Sequence, residues 1–379
     1  MKLLFLLQGK EPKDQIGFHQ AFERMVQSGQ LETYHALPYL TYGQPPPEHW
    51  PRLHAAALDI IRVEDIDILF LQYFHAEMAD PRPFVAKARK VNPRLLVVTS
   101  CGDGFGRWLH PLPLSLRQAS SVADLTFSTS MGYMADTLVR SGARNVVLMP
   151  NGVCQERFTL NMPESRDPDF DVIFIGSGNG GRNPFTPLSR AGRKRRAMIQ
   201  ALERRYGTRF AVFGSGWDGH SSWQGPVPFD DQHKAMWQSR LQVGGFPGSY
   251  ATYYTSNRAY IAIASGVPLL DCNVPRVDKL MEPHRHWVPY RDIPEMLQLI
   301  DKMLNRPQED LDSMGAEARD FALGSHTHAH RVREVIDIAR SVKEARVLGR
   351  TAPPPLLRCF HPRADPAQEL PWAVRNWHG

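Results

Sequence analysis

Short runs of apolar residues alternate with amphipathic stretches along most of the chain. The opening Leu3-Leu4-Phe5-Leu6-Leu7 predicts a strand buried on both faces. A helix over 15–28 follows, then helices over 52–62, 83–91 and 131–141. Between them, strands are expected over 66–74, 95–100, 125–129 and 146–149. These runs have almost no polar interruption, which is what a parallel sheet covered on both faces by helices requires. Polar residues and two prolines over 157–170 predict a linker, after which the rhythm restarts. Strands are expected at 171–175, 210–213, 243–246, 267–270 and 286–290. Helices are expected within 187–206 and over 256–265, 293–304, 308–323 and 327–344. The reading is an α/β protein of two Rossmann-like, doubly wound domains facing a cleft. Residues 1–156 would form the first domain and 157–345 the second. The tail, 346–379, would pack across the surface.

Composition narrows the classes without choosing among them. The 379 residues are 42% hydrophobic and 22% charged, so the chain is not a disordered one. The net charge of +6 permits an anionic partner without demanding one. The four cysteines, Cys101, Cys154, Cys272 and Cys359, form no CxxC pair, which points away from zinc and disulfides and toward a reducing compartment. The first apolar run is too short for a signal peptide, and no run approaches the ~20 residues of a membrane span. A cytoplasmic location is the expectation.

Ligands of doubly wound sheets sit outside the carboxyl ends of the strands, so the loops after strands carry the chemistry. Gly176-Ser177-Gly178 and Arg182 follow the first strand of the second half, where glycines let backbone N–H groups approach a phosphate and an arginine can pair with it. As a dinucleotide fingerprint the loop is incomplete, because Pro184 and Pro187 delay the helix. Gly214 and Trp217 follow the next strand, with Trp217 a candidate wall for a base. Tyr254, Ser256, Asn257 and Arg258 lead into a helix that Thr255 or Ser256 would cap, its free N–H groups pointing into the cleft. A guanidinium in that first turn opposes the helix dipole unless an anion lies between them.

At these residues the chain resembles the GT-B glycosyltransferases of group 1 type, nearest the CgeB-like group. Ser256-Asn257-Arg258-Ala259-Tyr260 and Ala264-Ser265-Gly266 are similar to that group's S-x-R-x-F/Y-E-x-x-A-S-G. Pro150-Asn151-Gly152-Val153 resembles its interdomain turn. Ser325 to Arg331 resembles the segment opening its last long helix, with His328 in place of a tyrosine. The resemblance covers roughly residues 95–340. It implies a nucleotide-sugar, UDP- or GDP-linked, as co-substrate bound by the second domain, with no other cofactor and no metal. Arg258 and the N–H groups near Ser256 and Asn257 would stabilise the leaving diphosphate. The group's glutamate three residues after the arginine is Ile261 here, so donor recognition is expected to differ.

On the acceptor side, Asp103 lies in a glycine-rich loop after a buried strand and is a candidate base, and His75 is a rival. His326, His328 and His330 alternate, a spacing that does not place them on one helix face for a metal. The basic stretch Arg193-Lys194-Arg195-Arg196 and a tail mixing arginines with Phe360, Trp372 and Trp377 suit an anionic acceptor surface. The acceptor is left open among a glycan, a lipid-linked carrier, a small molecule and, as in phage enzymes of this fold, hydroxymethylated DNA. A nucleotide-sugar epimerase and a non-catalytic binder of nucleotide-sugars are the other classes. Oligomeric state is not legible.

Overall fold

The computed structural model describes residues 1–40, 49–72, 79–106, 111–158, 166–178, 187–245 and 251–379. Two sheets form. The first has seven strands, β1 (Lys2–Leu7), β2 (Thr33–Pro38), β3 (Ile68–Gln72), β4 (Leu96–Cys101), β5 (Leu125–Ser128), β6 (Val146–Leu148) and, from the tail, β12 (Val374–Arg375). The second has five, β7 (Phe170–Ile175), β8 (Phe210–Phe213), β9 (Ser239–Val243), β10 (Leu269–Cys272) and β11 (Val288–Tyr290). The orders are β12-β6-β5-β4-β3-β1-β2 and β11-β10-β9-β7-β8. All pairings are parallel except β12 against β6. Each order reverses direction beside its first strand, between β1 and β3 and between β7 and β9, and the switch point of a doubly wound sheet is where a crevice opens.

The first sheet is covered on both faces, as its apolar strands demand. Leu3, Phe5 and Leu7 pack into a core with Phe22 and Met25 of the helix Ile16–Gln27. Leu4 and Leu6 point the other way, toward Trp50, Leu53 and Ile61 of the helix His49–Glu64 and Phe84 of the helix Arg82–Val91. That alternation is the period-2 geometry of a strand.

The differences from the sequence reading have physical causes. β2 was not expected because all six of its residues are only half-buried at the sheet edge, so no apolar run marks it. β9 lies four residues before the expected start, at Ser239-Arg240-Leu241-Gln242-Val243. Its polar look hides a satisfied interior: the Gln242 amide, 3% exposed, donates to Ala262 O, Ser265 Oγ and Val267 O at 3.1, 2.9 and 3.0 Å. Short helices at Leu114–Val122 and Gln232–Trp237 were also not expected.

The tail ties the two sheets together. His361 N donates to Lys279 O, and Arg363 pairs with Glu282 beside the second sheet. Glu369 of the helix Pro366–Ala373 accepts a hydrogen bond from Tyr253 and pairs with Arg276 at 3.4 Å. Five residues after Glu369, the chain joins the first sheet as β12.

Candidate active site

The glycine loops of the second sheet lock onto one another. Gly176 N donates to Phe213 O, and Gly178 N to Ser215 O. A Cβ on Gly178 would lie 2.3 Å from Gly216 O, and one on Gly214, whose φ is +128°, 2.4 Å from Gly176 O. Trp217 is 1% exposed, its indole N–H donates to Gly176 O at 2.6 Å, and its ring meets Phe174 edge-on. The structure therefore places Trp217 in the packing beneath the loops, where a base cannot reach it.

Ser256 occupies the N-cap position of the helix Asn257–Ala264 with extended backbone, and its hydroxyl makes no capping bond. Half-buried Arg258, in the first turn, points at the end of β7: its Nη1 lies 3.3 Å from where a Gly176 Cβ would be. No hydrogen bond or ion pair engages its side chain among the described residues. A second guanidinium stands beside it. Arg195, from the helix Pro187–Tyr206, donates to Ser177 O at 2.7 Å, and its Nε is buried without a partner among the described residues. Burial lowers the pKa of both arginines, and the charge of Arg258 lowers that of Arg195 further. Asp271, one residue before the end of β10, is the carboxylate they face. Burial pushes it up to about 7, against a hydrogen bond from Cys272 N and the pull of the two arginines. Ser256, Arg258 and Asp271 line one small cavity with Gly244 and Gly245 at the second switch point.

Across the cleft, a cavity of about 170 Å³ opens at the first switch point. Its walls include Gln8 after β1, Gln72 of β3, Asp103 after β4, Asn151 after β6 and, from the other side, Asn257 and Arg331. Asp103 is exposed, and its backbone carbonyl accepts from Thr129 Oγ1 at 3.2 Å and Cys101 Sγ at 3.6 Å. Tyr254 reaches over from the second half, its ring where a Gly104 Cβ would collide at 2.9 Å. Burial and the Asp103 charge push the Tyr254 hydroxyl up to about 12, so it stays protonated. Ile261 lines a neighbouring cavity of about 130 Å³ with Asn257, Arg157, Phe229 and His328.

The turn Pro150–Val153 is the seam between the halves. Asn151 Nδ2 donates to Gly102 O at 3.1 Å and Thr255 O at 3.0 Å. Arg331, 2% exposed, donates to Pro150 O at 2.8 Å and Asn151 O at 3.2 Å. The three alternating histidines diverge: His326 meets Arg331 at 2.5 Å, His328 packs on Phe18 in the cleft, and His330 completes a capping box with Thr327.

Of the expected site residues, the structure brings Gly176, Ser177, Ser256 and Arg258 together on the second side. It sets Asp103, Tyr254 and Asn257 at the cleft between the halves. Gly178 and Gly214 serve the loop packing. His75 and Arg182 lie outside the described residues. Arg195 was read only as part of a basic stretch, and its neighbour Arg196 donates to Gly178 O. Its place four residues before the core residue Ile199 was the signal that it faces inward. Asp271 and Gln72 were missed because an apolar strand pattern gives its last residues no separate mark. Tail cations are paired within the chain, Arg358 with Asp337, Arg363 with Glu282 and Arg375 with Asp136.

No curated protein matches the sequence. Residues 193–337 match the glycosyl transferase-like family. Solved structures share the fold at low identity. HepE from Anabaena, in complex with UDP and glucose, is 13% identical with a TM-score of 0.58, over 90% of this chain and 100% of that one. Sucrose-phosphate synthase from Thermosynechococcus elongatus is 12% identical with a TM-score of 0.58, over 91% and 100%. A trehalose-6-phosphate protein from E. coli bound with UDP-2-fluoro glucose is 11% identical with a TM-score of 0.58, over 90% and 99%. No helix among the described residues is long and apolar enough to cross a membrane. The chain has the GT-B fold of these structures, and its residues 193–337 are similar to the glycosyl transferase-like family.

Proposed function

We propose that the chain moves a sugar from a nucleoside-diphosphate sugar, UDP- or GDP-linked, to an acceptor hydroxyl, with the donor on the second sheet and the acceptor on the first. The observation that carries this is Arg258: a half-buried cation in the first turn of a helix, unpaired among the described residues and aimed at the glycine loop of a switch point. Cationic charge at a helix N-terminus is unfavourable alone and favourable with an anion between them. As the bond from anomeric carbon to diphosphate oxygen breaks, the negative charge gathering on that oxygen meets Arg258 and the N–H groups at Asn257. Groups fixed before the reaction starts need no reorganisation when charge develops. The guanidiniums do here what a divalent cation does elsewhere, so transfer proceeds without one.

Asp103 takes the proton of the attacking hydroxyl. It shares the cleft cavity with the carboxamides of Gln8, Gln72, Asn151 and Asn257 and the hydroxyl of Ser100, groups suited to hydroxyl-rich ligands. HepE has been solved in complex with UDP-glucose, which makes that donor the first to try. The test is a thermal-shift series with UDP-, GDP-, ADP-, dTDP- and CMP-sugars. A diphosphate-linked sugar should raise the midpoint by mass action, and the monophosphate-linked CMP-sugar should not. No shift with any diphosphate sugar would contradict the assignment.

A further inference from the structure

We propose that Asp271 is the exchangeable counter-ion of the donor site: its carboxylate balances Arg195 and Arg258 in the free protein, and it takes up one proton from solvent when a diphosphate comes to pair with those two guanidiniums. The inference rests on the donor-site reading above.

The geometry is specific. Asp271, one residue before the end of β10, stands beside Gly244, and a Cβ on Gly244 would lie 2.3 Å from the Asp271 Cγ and Oδ1, so only glycine leaves room for the carboxyl there. The carboxyl lines the same cavity as Ser256 and Arg258. Arg195, bound to Ser177 O, faces it from the helix Pro187–Tyr206, and Arg258 faces it from the helix Asn257–Ala264. Among the described residues, the further titratable groups against it are Cys272 of β10, itself within the field of Lys194, and Tyr290 of β11, whose hydroxyl donates to Gly244 O at 2.7 Å. Burial and the Asp271 charge push both far up, so they stay neutral. Asp271 is then the group here that changes charge near neutrality, its carboxyl standing at about 7. Two cations facing one carboxylate favour the carboxylate. A diphosphate added to the same two cations cancels that support and leaves a like charge beside it, which favours the neutral acid.

The sign follows. A ligand that raises the pKa of a group binds with proton uptake, and its affinity falls as pH rises above the free-protein value. Affinity for UDP-glucose should weaken by up to about tenfold per pH unit above pH 7 before levelling off. UDP-glucose is the right probe because its diester diphosphate has no proton of its own to exchange in this range.

The experiment is isothermal titration of UDP-glucose into the full chain at pH 8, in buffers of different ionisation enthalpy, with the dissociation constant followed from pH 6 to 9. Uptake approaching one proton, absent in a folded Asp271→Asn whose affinity no longer depends on pH, is the expected result. Binding without proton uptake in the wild type overturns the Asp271 inference and leaves the donor site standing. Uptake that persists in Asp271→Asn also overturns it. Absence of binding at every pH overturns the donor site itself. Should Asp271→Asn not fold, the wild-type pH profile decides alone: a dissociation constant flat from pH 6 to 9 refutes the proposal.

Discussion

At the scale of single residues, the site is built from groups that are costly to hold without a ligand. Burial disfavours both guanidinium charges, that of Arg258 weighs further on Arg195, and Arg195 Nε has no acceptor among the described residues. Uncompensated polar groups of this kind cost on the order of 1–3 kcal/mol each, a cost that the proposed diphosphate ligand would remove. Asp103 has a different part in the proposed function, since a base acts on the chemical step more than on binding. Asp103→Asn should lower kcat by about 10²–10⁴ while leaving KM within a few-fold. Steady-state kinetics on the purified variant check this, and a change confined to KM would assign Asp103 to acceptor binding. The glycines answer to packing. Gly178→Ala would press a methyl against Gly216 O and should cost about 1–3 kcal/mol in denaturant unfolding.

Elements show where the sequence was legible and where it was not. Strands buried on both faces announced themselves, because Leu3 to Leu7 must be apolar throughout to lie between two layers of helix. β2 and β9 did not: one is a half-buried edge, and the other spends its polar Gln242 on carbonyls in the interior. The helix Asn257–Ala264 was readable from its start signal and from Gly266, and with it Arg258. Asp271 was unreadable, since nothing in Leu269-Leu270-Asp271-Cys272 says that two arginines from distant helices converge on it. At the seam, Arg331→Ala would leave the Pro150 and Asn151 carbonyls without their donor and should cost about 2–3 kcal/mol, read as a lower unfolding midpoint. The histidines of this region give it a pH signature. Burial lowers His326, and lowers His286 and His328 to about 4 each. The unfolded chain then binds more protons than the folded one below pH 6.5, so stability is full above that pH and is lost as pH falls toward 4. Thermal midpoints across pH 4–7 should show this fall, and His328→Phe should shallow it.

For the molecule as a whole, two parallel sheets of like topology place their switch points across one cleft, and the chain crosses between them more than once. The turn Pro150–Val153 is hydrogen-bonded to the start of the helix His328–Val347, and that helix packs back on the helix Ile16–Gln27. The tail then returns through Glu369 to β12. These crossings fix how the first sheet meets the second. The proposed arrangement is a diphosphate held by Arg258 opposite Asp103. It is tested most directly by the rate at which the purified protein releases UDP from UDP-glucose, compared between the wild type and Arg258→Ala of unchanged thermal midpoint. Loss of one preorganised charge-stabilising group costs about 2.7–4 kcal/mol, so kcat should fall about 10²–10³-fold in the variant. A folded variant that releases UDP at near the wild-type rate would contradict the account.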